Sequence, residues 1–140
     1  MANILGLDYG QKYIGYAIGN DITLTSSIQG TIIYKNRKKL FQEIQDLVNE
    51  WEVNLIILGL PINMDDTESK MSKEVRGFKE KIEKFLNIEC KLHDERLSSF
   101  EAKEQKEIIK KNKIQPNPGI DALAAKVILE SWLKEKSKNV

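Results

Sequence analysis

The sequence predicts an α/β protein built on a mixed five-stranded sheet. Three observations predict it. Short β-branched or alternating segments crowd the first quarter of the chain, and helical and extended periods alternate after it. The run "NLIILGL" (54–60) is apolar at nearly every position, as in a strand covered on both faces. The 140 residues suit one domain spanning 1–140, able to hide roughly two thirds of its unfolded surface.

Each element follows from its local pattern. Residues 4–9 and 13–18 read as strands joined by the turn-like "GQK", with Ile14, Tyr16 and Ile18 alternating with smaller residues. "TLTSSIQGTIIY" (23–34) is rich in β-branched residues and reads as a third strand with a break near Gly30. Tight connections make these three a meander. Leu40, Ile44, Leu47, Val48 and Trp51 then share one helical face. Pro61 ends the strand at 54–60, and "NMDDTESK" is a polar loop that closes over substrate or simply caps a helix at Thr67 or Ser69. Val75, Phe78, Ile82, Phe85 and Leu86 mark a second amphipathic helix, and "IECKL" (88–92) a fifth strand. A third helix is expected over 98–111, capped by Ser98 or Ser99, then a breaker-rich loop at 112–119. The last helix runs from Ile120 to about Lys134, with apolar residues at 120, 123, 124, 127 and 128. The order βββαβαβα plus a C-terminal helix is that of the ribonuclease H-like architecture, with parallel crossovers in its second half. Strand 1 is expected inside the sheet, antiparallel to strand 2 and parallel to strand 4.

Composition narrows the function. Hydrophobic residues at 41% and charged residues at 31% fit a globular protein, and a formal net charge of +1 does not by itself announce a nucleic-acid binder. One cysteine, Cys90, excludes an internal disulfide and a multi-cysteine metal site. Neither a signal peptide nor a membrane span is read from the apolar pattern, so a cytoplasmic protein is expected.

Chemistry enters with the carboxylates. Asp8 closes strand 1, Asp94 and Glu95 follow strand 5, and Asp121 lies in the first turn of the last helix. A central strand 1 lets these ends converge at one sheet edge. Two carboxylates about 4 Å apart repel by about 4 kcal/mol at an effective dielectric of about 20. A divalent cation neutralises such a cluster, and oxygen-only ligands favour Mg2+ or Mn2+, which activate water for phosphodiester hydrolysis. Singly, Asp8 is also a turn former, Asp121 a helix-dipole partner, and Asp94 and Glu95 a solvated cluster with Arg96.

"GLDYGQKYIGYAIG", "IILGLPINMDDTESK", "KLHDERLSSFEA" and "IDALAAKVILESWL" closely resemble the YqgF/RuvX family, Holliday-junction-resolvase-like proteins also viewed as nucleases for the small-subunit rRNA precursor. The resemblance covers nearly the whole chain. It implies a ribonuclease H-like fold and metal-dependent cleavage, most directly in maturing the 5′ end of 16S rRNA. Its alternatives are a Holliday-junction-type DNA resolvase and a non-catalytic module binding nucleic acid or ribosomal particles. By motif, Asp8, Glu95 and Asp121 form the catalytic, metal-binding acidic triad, with Asp94 as auxiliary. The sequence departs from the family where Asp66 replaces a frequent glycine, Ala122 a frequent serine, and "QPNPGI" a basic approach to Asp121. An actin-like phosphotransferase shares the opening "D-x-G", but only one copy of the domain is present.

Substrate-binding candidates are Lys12, Arg96, Arg37, Lys38, Lys39 and Asn63, the cations to meet phosphates and Asn63 to shape the loop beside Asp8. Gly6, Gly10 and Gly15 leave room for a phosphate backbone or a neighbouring strand. The lysines from Lys103 to Lys113 alternate with glutamates and read as a solvated face. His93, Trp51 and Trp132 read as structural.

Overall fold

The computed structural model describes residues 3–23, 26–96 and 118–138. The helix expected over 98–111, its serine cap and the lysines at 103–113 lie outside the described residues, as does the loop from 112 to 117. Five strands, β1 (Asn3–Asp8), β2 (Tyr13–Asn20), β3 (Ser26–Ile33), β4 (Val53–Leu60) and β5 (Glu89–Asp94), form one sheet in the order β3-β2-β1-β4-β5. β1 is central, antiparallel to β2 and parallel to β4, as its position in the sequence pattern predicts. Among the described residues the helices are α1 (Arg37–Glu50), α2 (Lys70–Leu86) and α3 (Pro118–Lys138).

Strand alternation sorts the core into two layers. Leu5 and Leu7 of β1 join Leu40, Phe41 and Ile44 of α1 and Val75, Phe78 and Ile82 of α2 on one face. Ile4, Ala17 and Ile57 meet Ala125, Ile128, Leu129 and Leu133 of α3 on the other. Gly6 belongs to that second face, where an added Cβ would lie 2.8 Å from the Cβ of Leu129. Each fully buried Leu or Ile contributes about 1.5–3 kcal/mol, so both layers are substantial.

Several expectations are corrected. β3 does not break at Gly30, whose bare backbone instead receives the Tyr16 ring of the paired strand. β5 runs on to Asp94, because β4 still offers Leu60 as a partner there. Phe85, expected on the buried stripe of α2, is 50% exposed and rests against Phe41 at 5.2 Å between ring centroids. α3 begins at Pro118 and is apolar on two sides, so Ala124 and Val127 form a cluster separate from the residues pressed on the sheet. Among the described residues no helix is long and apolar enough to cross a membrane.

Candidate active site

The carboxyl-terminal edge of the sheet collects the acidic residues. Asp8 ends β1, opposite Gly15 of β2. One step beyond the Leu7–Leu58 pair, it also stands level with Gly59 of β4. Asp8 shares the α3 face with Gly6 by alternation and is only 7% exposed. The first turn of α3 lies against Gly15 so closely that any Cβ there would strike the carbonyl oxygen of Asp121. Beyond β5, the Glu95 amide donates to the Leu60 carbonyl at 3.2 Å, and Glu95 Oε1 lies 3.0 Å from where a Cβ of Gly59 would be. Asp121 over β2, Asp8 on β1 and the Glu95 carboxylate over β4 thus follow one another across adjacent strands on a single face, each strand about 4.8 Å from the next.

Asp94 and Glu95 part company here. The Asp94 carboxylate accepts from Arg96 Nε at 3.1 Å and from a terminal guanidinium nitrogen at 2.8 Å. The Arg96 guanidinium holds the Asp94 carboxyl below its ordinary value, chiefly through these hydrogen bonds. Arg96 also donates to Asp66 at 2.7 Å and to the Asn63 carbonyl at 3.1 Å. Its guanidinium thus fastens the loop after β4 to the end of β5. Asp66 sits at φ 69°, the left-handed region that explains why glycine is at home in this position. The Arg96 ion pair offsets part of the strain. Asn63 shapes the same loop, its side-chain amide donating to Thr67 Oγ1 at 3.0 Å.

Lys12 stays at the edge where β1 ends, and the remaining basic candidates open α1. Lys12 is exposed in the β1–β2 turn, its ammonium 5.5 Å from the centroid of the Tyr13 ring. Arg37, Lys38 and Lys39 form the first turn of α1, which packs on the sheet face opposite α3. Gly6 and Gly15 are filled by α3 instead of a phosphate or a strand, a close approach between residues more than a hundred positions apart. His93 is buried and shares a 3.0 Å hydrogen bond with Ser131 of α3.

Among the described residues no three His, Cys, Asp or Glu side chains lie close enough to hold a metal ion, so the expected three-carboxylate cage is not closed in this conformation. The donor chemistry nonetheless fits a hard divalent cation. The donors are carboxylate oxygens, and Asp8 is a buried carboxylate with the Glu95 carboxylate over the neighbouring strand.

A family profile described as RuvX, Holliday junction resolvase, matches residues 2–135. The chain belongs to the RuvX family. Among RuvX relatives, one from Pseudomonas syringae pv. tomato is 39% identical over 134 residues, covering 94% of this chain and 91% of the relative. One from Buchnera aphidicola is 37% identical, covering 92% and 94%. Both bear the name "Putative pre-16S rRNA nuclease". Thermus thermophilus RuvC in complex with a Holliday junction superposes with a TM-score of 0.63 at 9% identity, covering 100% of this chain and 98% of RuvC. The fowlpox virus Holliday junction resolvase superposes at 0.55 and 16% identity, covering 95% and 99%. The fold is therefore that of the resolvases, and RuvX membership makes the chain a nuclease, a hydrolase of phosphodiester bonds.

Proposed function

We propose that this nuclease is metal-dependent and trims the 5′ end of the small-subunit rRNA precursor in the cytoplasm. The observation that carries the catalytic part is the succession of Asp121, Asp8 and Glu95 on one face across adjacent strands, with Asp94 withdrawn into its pair with Arg96. Asp8, Glu95 and Asp121 would hold Mg2+ or Mn2+. Such a cation supplies charge neutralisation and Lewis-acid polarisation of a phosphate. The chain does the positioning. Asp8 is fixed by the central strand and its burial, and Glu95 by its amide hydrogen bond to Leu60. Asp121 is fixed by the contact of its turn with Gly15. Pre-organised donors of this kind lower a barrier because they need not reorganise during reaction.

The rRNA assignment draws on relatives at 37–39% identity that cover nearly the whole chain. A second reading, resolution of four-way DNA junctions, draws on the family description. Purified protein in magnesium should cleave an RNA carrying an unprocessed 16S 5′ extension faster than a four-way DNA junction. The reverse preference would favour the resolvase reading, and cleavage of neither would defeat both.

A further inference from the structure

On the opposite side of the sheet from α3 lies a cleft that the nuclease reading does not use. It has a volume of about 400 Å3 and opens between the beginnings of α1 and α2. Its cationic lining is Arg37, Lys70, Lys73 and Lys81, against one acid, Glu74. Among the described residues none of these four cations forms an ion pair, whereas Arg76 and Lys79 on other sides of α2 are paired to Glu68 and Glu83. Neither helix has an acidic residue in its first turn, the ordinary choice there; both open with cations.

The floor of the cleft is aromatic. Tyr9 packs against Phe78, with ring centroids 4.9 Å apart and planes tilted by 41°, and meets Tyr34 edge-on at 6.4 Å. Tyr9 directly follows Asp8, so alternation sends the carboxylate to one face of the sheet and the ring to the other. The cleft therefore adjoins the acidic edge across the end of one strand. Gly77 adds an independent sign. It interrupts α2 where alanine would be more stable, yet a Cβ built there meets nothing within 4 Å. No neighbour in the described fold requires this glycine, and its empty side is a wall of the cleft.

We infer that this cleft binds a single nucleic-acid strand, its phosphates on Arg37, Lys70, Lys73 and Lys81 and a base against Tyr34 and Tyr9, with Gly77 leaving room for the sugar–phosphate backbone. The inference deepens the nuclease reading and rests on it for the identity of the strand, the part of the substrate running away from the cut. Stacking on aromatic rings combined with unpaired cations is the chemistry of single-strand binding.

The test uses a fluorescent oligouridylate without divalent metal, so that binding is read apart from cleavage. The parent should bind with a salt-dependent affinity. Changing Lys70, Lys73 and Lys81 together to glutamine should lower the log–log salt slope by about 0.7 for each phosphate that is no longer neutralised. Tyr34→Ala should weaken binding about fivefold or more, with Tyr34→Phe restoring most of it. Gly77→Leu should raise the melting temperature yet weaken binding, a combination that a purely structural role would not produce. Parent-like affinity and slope in both the triple-glutamine and Gly77→Leu proteins would overturn the inference. So would uridine monophosphate binding as tightly as the oligonucleotide, which marks a mononucleotide site. Loss of binding in these variants supports the cleft even where the parent cleaves nothing in magnesium, a result that would defeat only the nuclease mechanism.

Discussion

Arg96 shows how one side chain can settle the roles of its neighbours. It takes Asp94 and Asp66 into a single ion-paired knot, with its guanidinium 29% exposed and the Asp94 carboxylate 21% exposed. Because the folded structure lowers the Asp94 pKa from its ordinary 3.8, the pair's contribution is present above that value. It is lost as pH falls through the lower folded-state value. Asp94→Asn should therefore cost about 1 kcal/mol near neutrality, a modest figure because both partners are partly solvated. The gap in melting temperature between parent and variant should close as pH drops from about 5 to about 2. Asp65, Glu68 and Glu83 are lowered as well, so the difference between the two proteins, not the parent curve alone, reports on the knot. A gap that stays constant across this range would mean that the Asp94 charge does not stabilise the fold.

At the scale of elements, α2 is held at its start by a small polar cluster. Ser69 caps the helix, and its own amide donates to Ser72 Oγ at 3.0 Å. The fully buried Ser72 hydroxyl also donates to the carbonyl of Pro61, tying α2 to the end of β4. Ser72→Ala should destabilise the protein by about 1–3 kcal/mol in denaturant unfolding, since it leaves the half-buried Pro61 carbonyl and Ser69 amide without their partner. A loss below about 0.5 kcal/mol would show that water replaces the hydroxyl. Much of this level was legible in the sequence. Period and turn residues located the strands and helices that the structure describes, and the central place of β1 followed from their order. Ser69 was one of two caps the sequence offered, and Thr67 instead bonds to Asp65. What escaped were contacts between distant residues. No local pattern tells that Gly15 seats the turn of Asp121, or that Gly59 faces Glu95. The pattern likewise offered Arg96 a phosphate or a neighbouring acid, and only the course of the loop at 63–66 brings Asp66 into reach. The second apolar side of α3 was hidden because clusters on two sides of one helix blur a single stripe.

Taken whole, the molecule divides its labour between the two faces of one sheet. One face carries α3 and the acidic edge; the other carries α1, α2 and the cationic cleft. Cys90 sits within the core beneath α1 and α2, where burial pushes its thiol up to about 12, as for a structural residue. The central claim is that Asp8 is there to hold a cation that the substrate phosphate must share. The direct measurement is the magnesium- or manganese-dependent cleavage rate of a structured RNA by the parent and by Asp8→Asn, an isosteric change that removes the charge, each with its melting temperature recorded. Asp8→Asn should abolish cleavage while melting no lower than the parent without metal, since the substitution relieves repulsion at the acidic edge. Cleavage by Asp8→Asn at the parent's rate would contradict the account, leaving Asp8 as a turn former at the end of a strand.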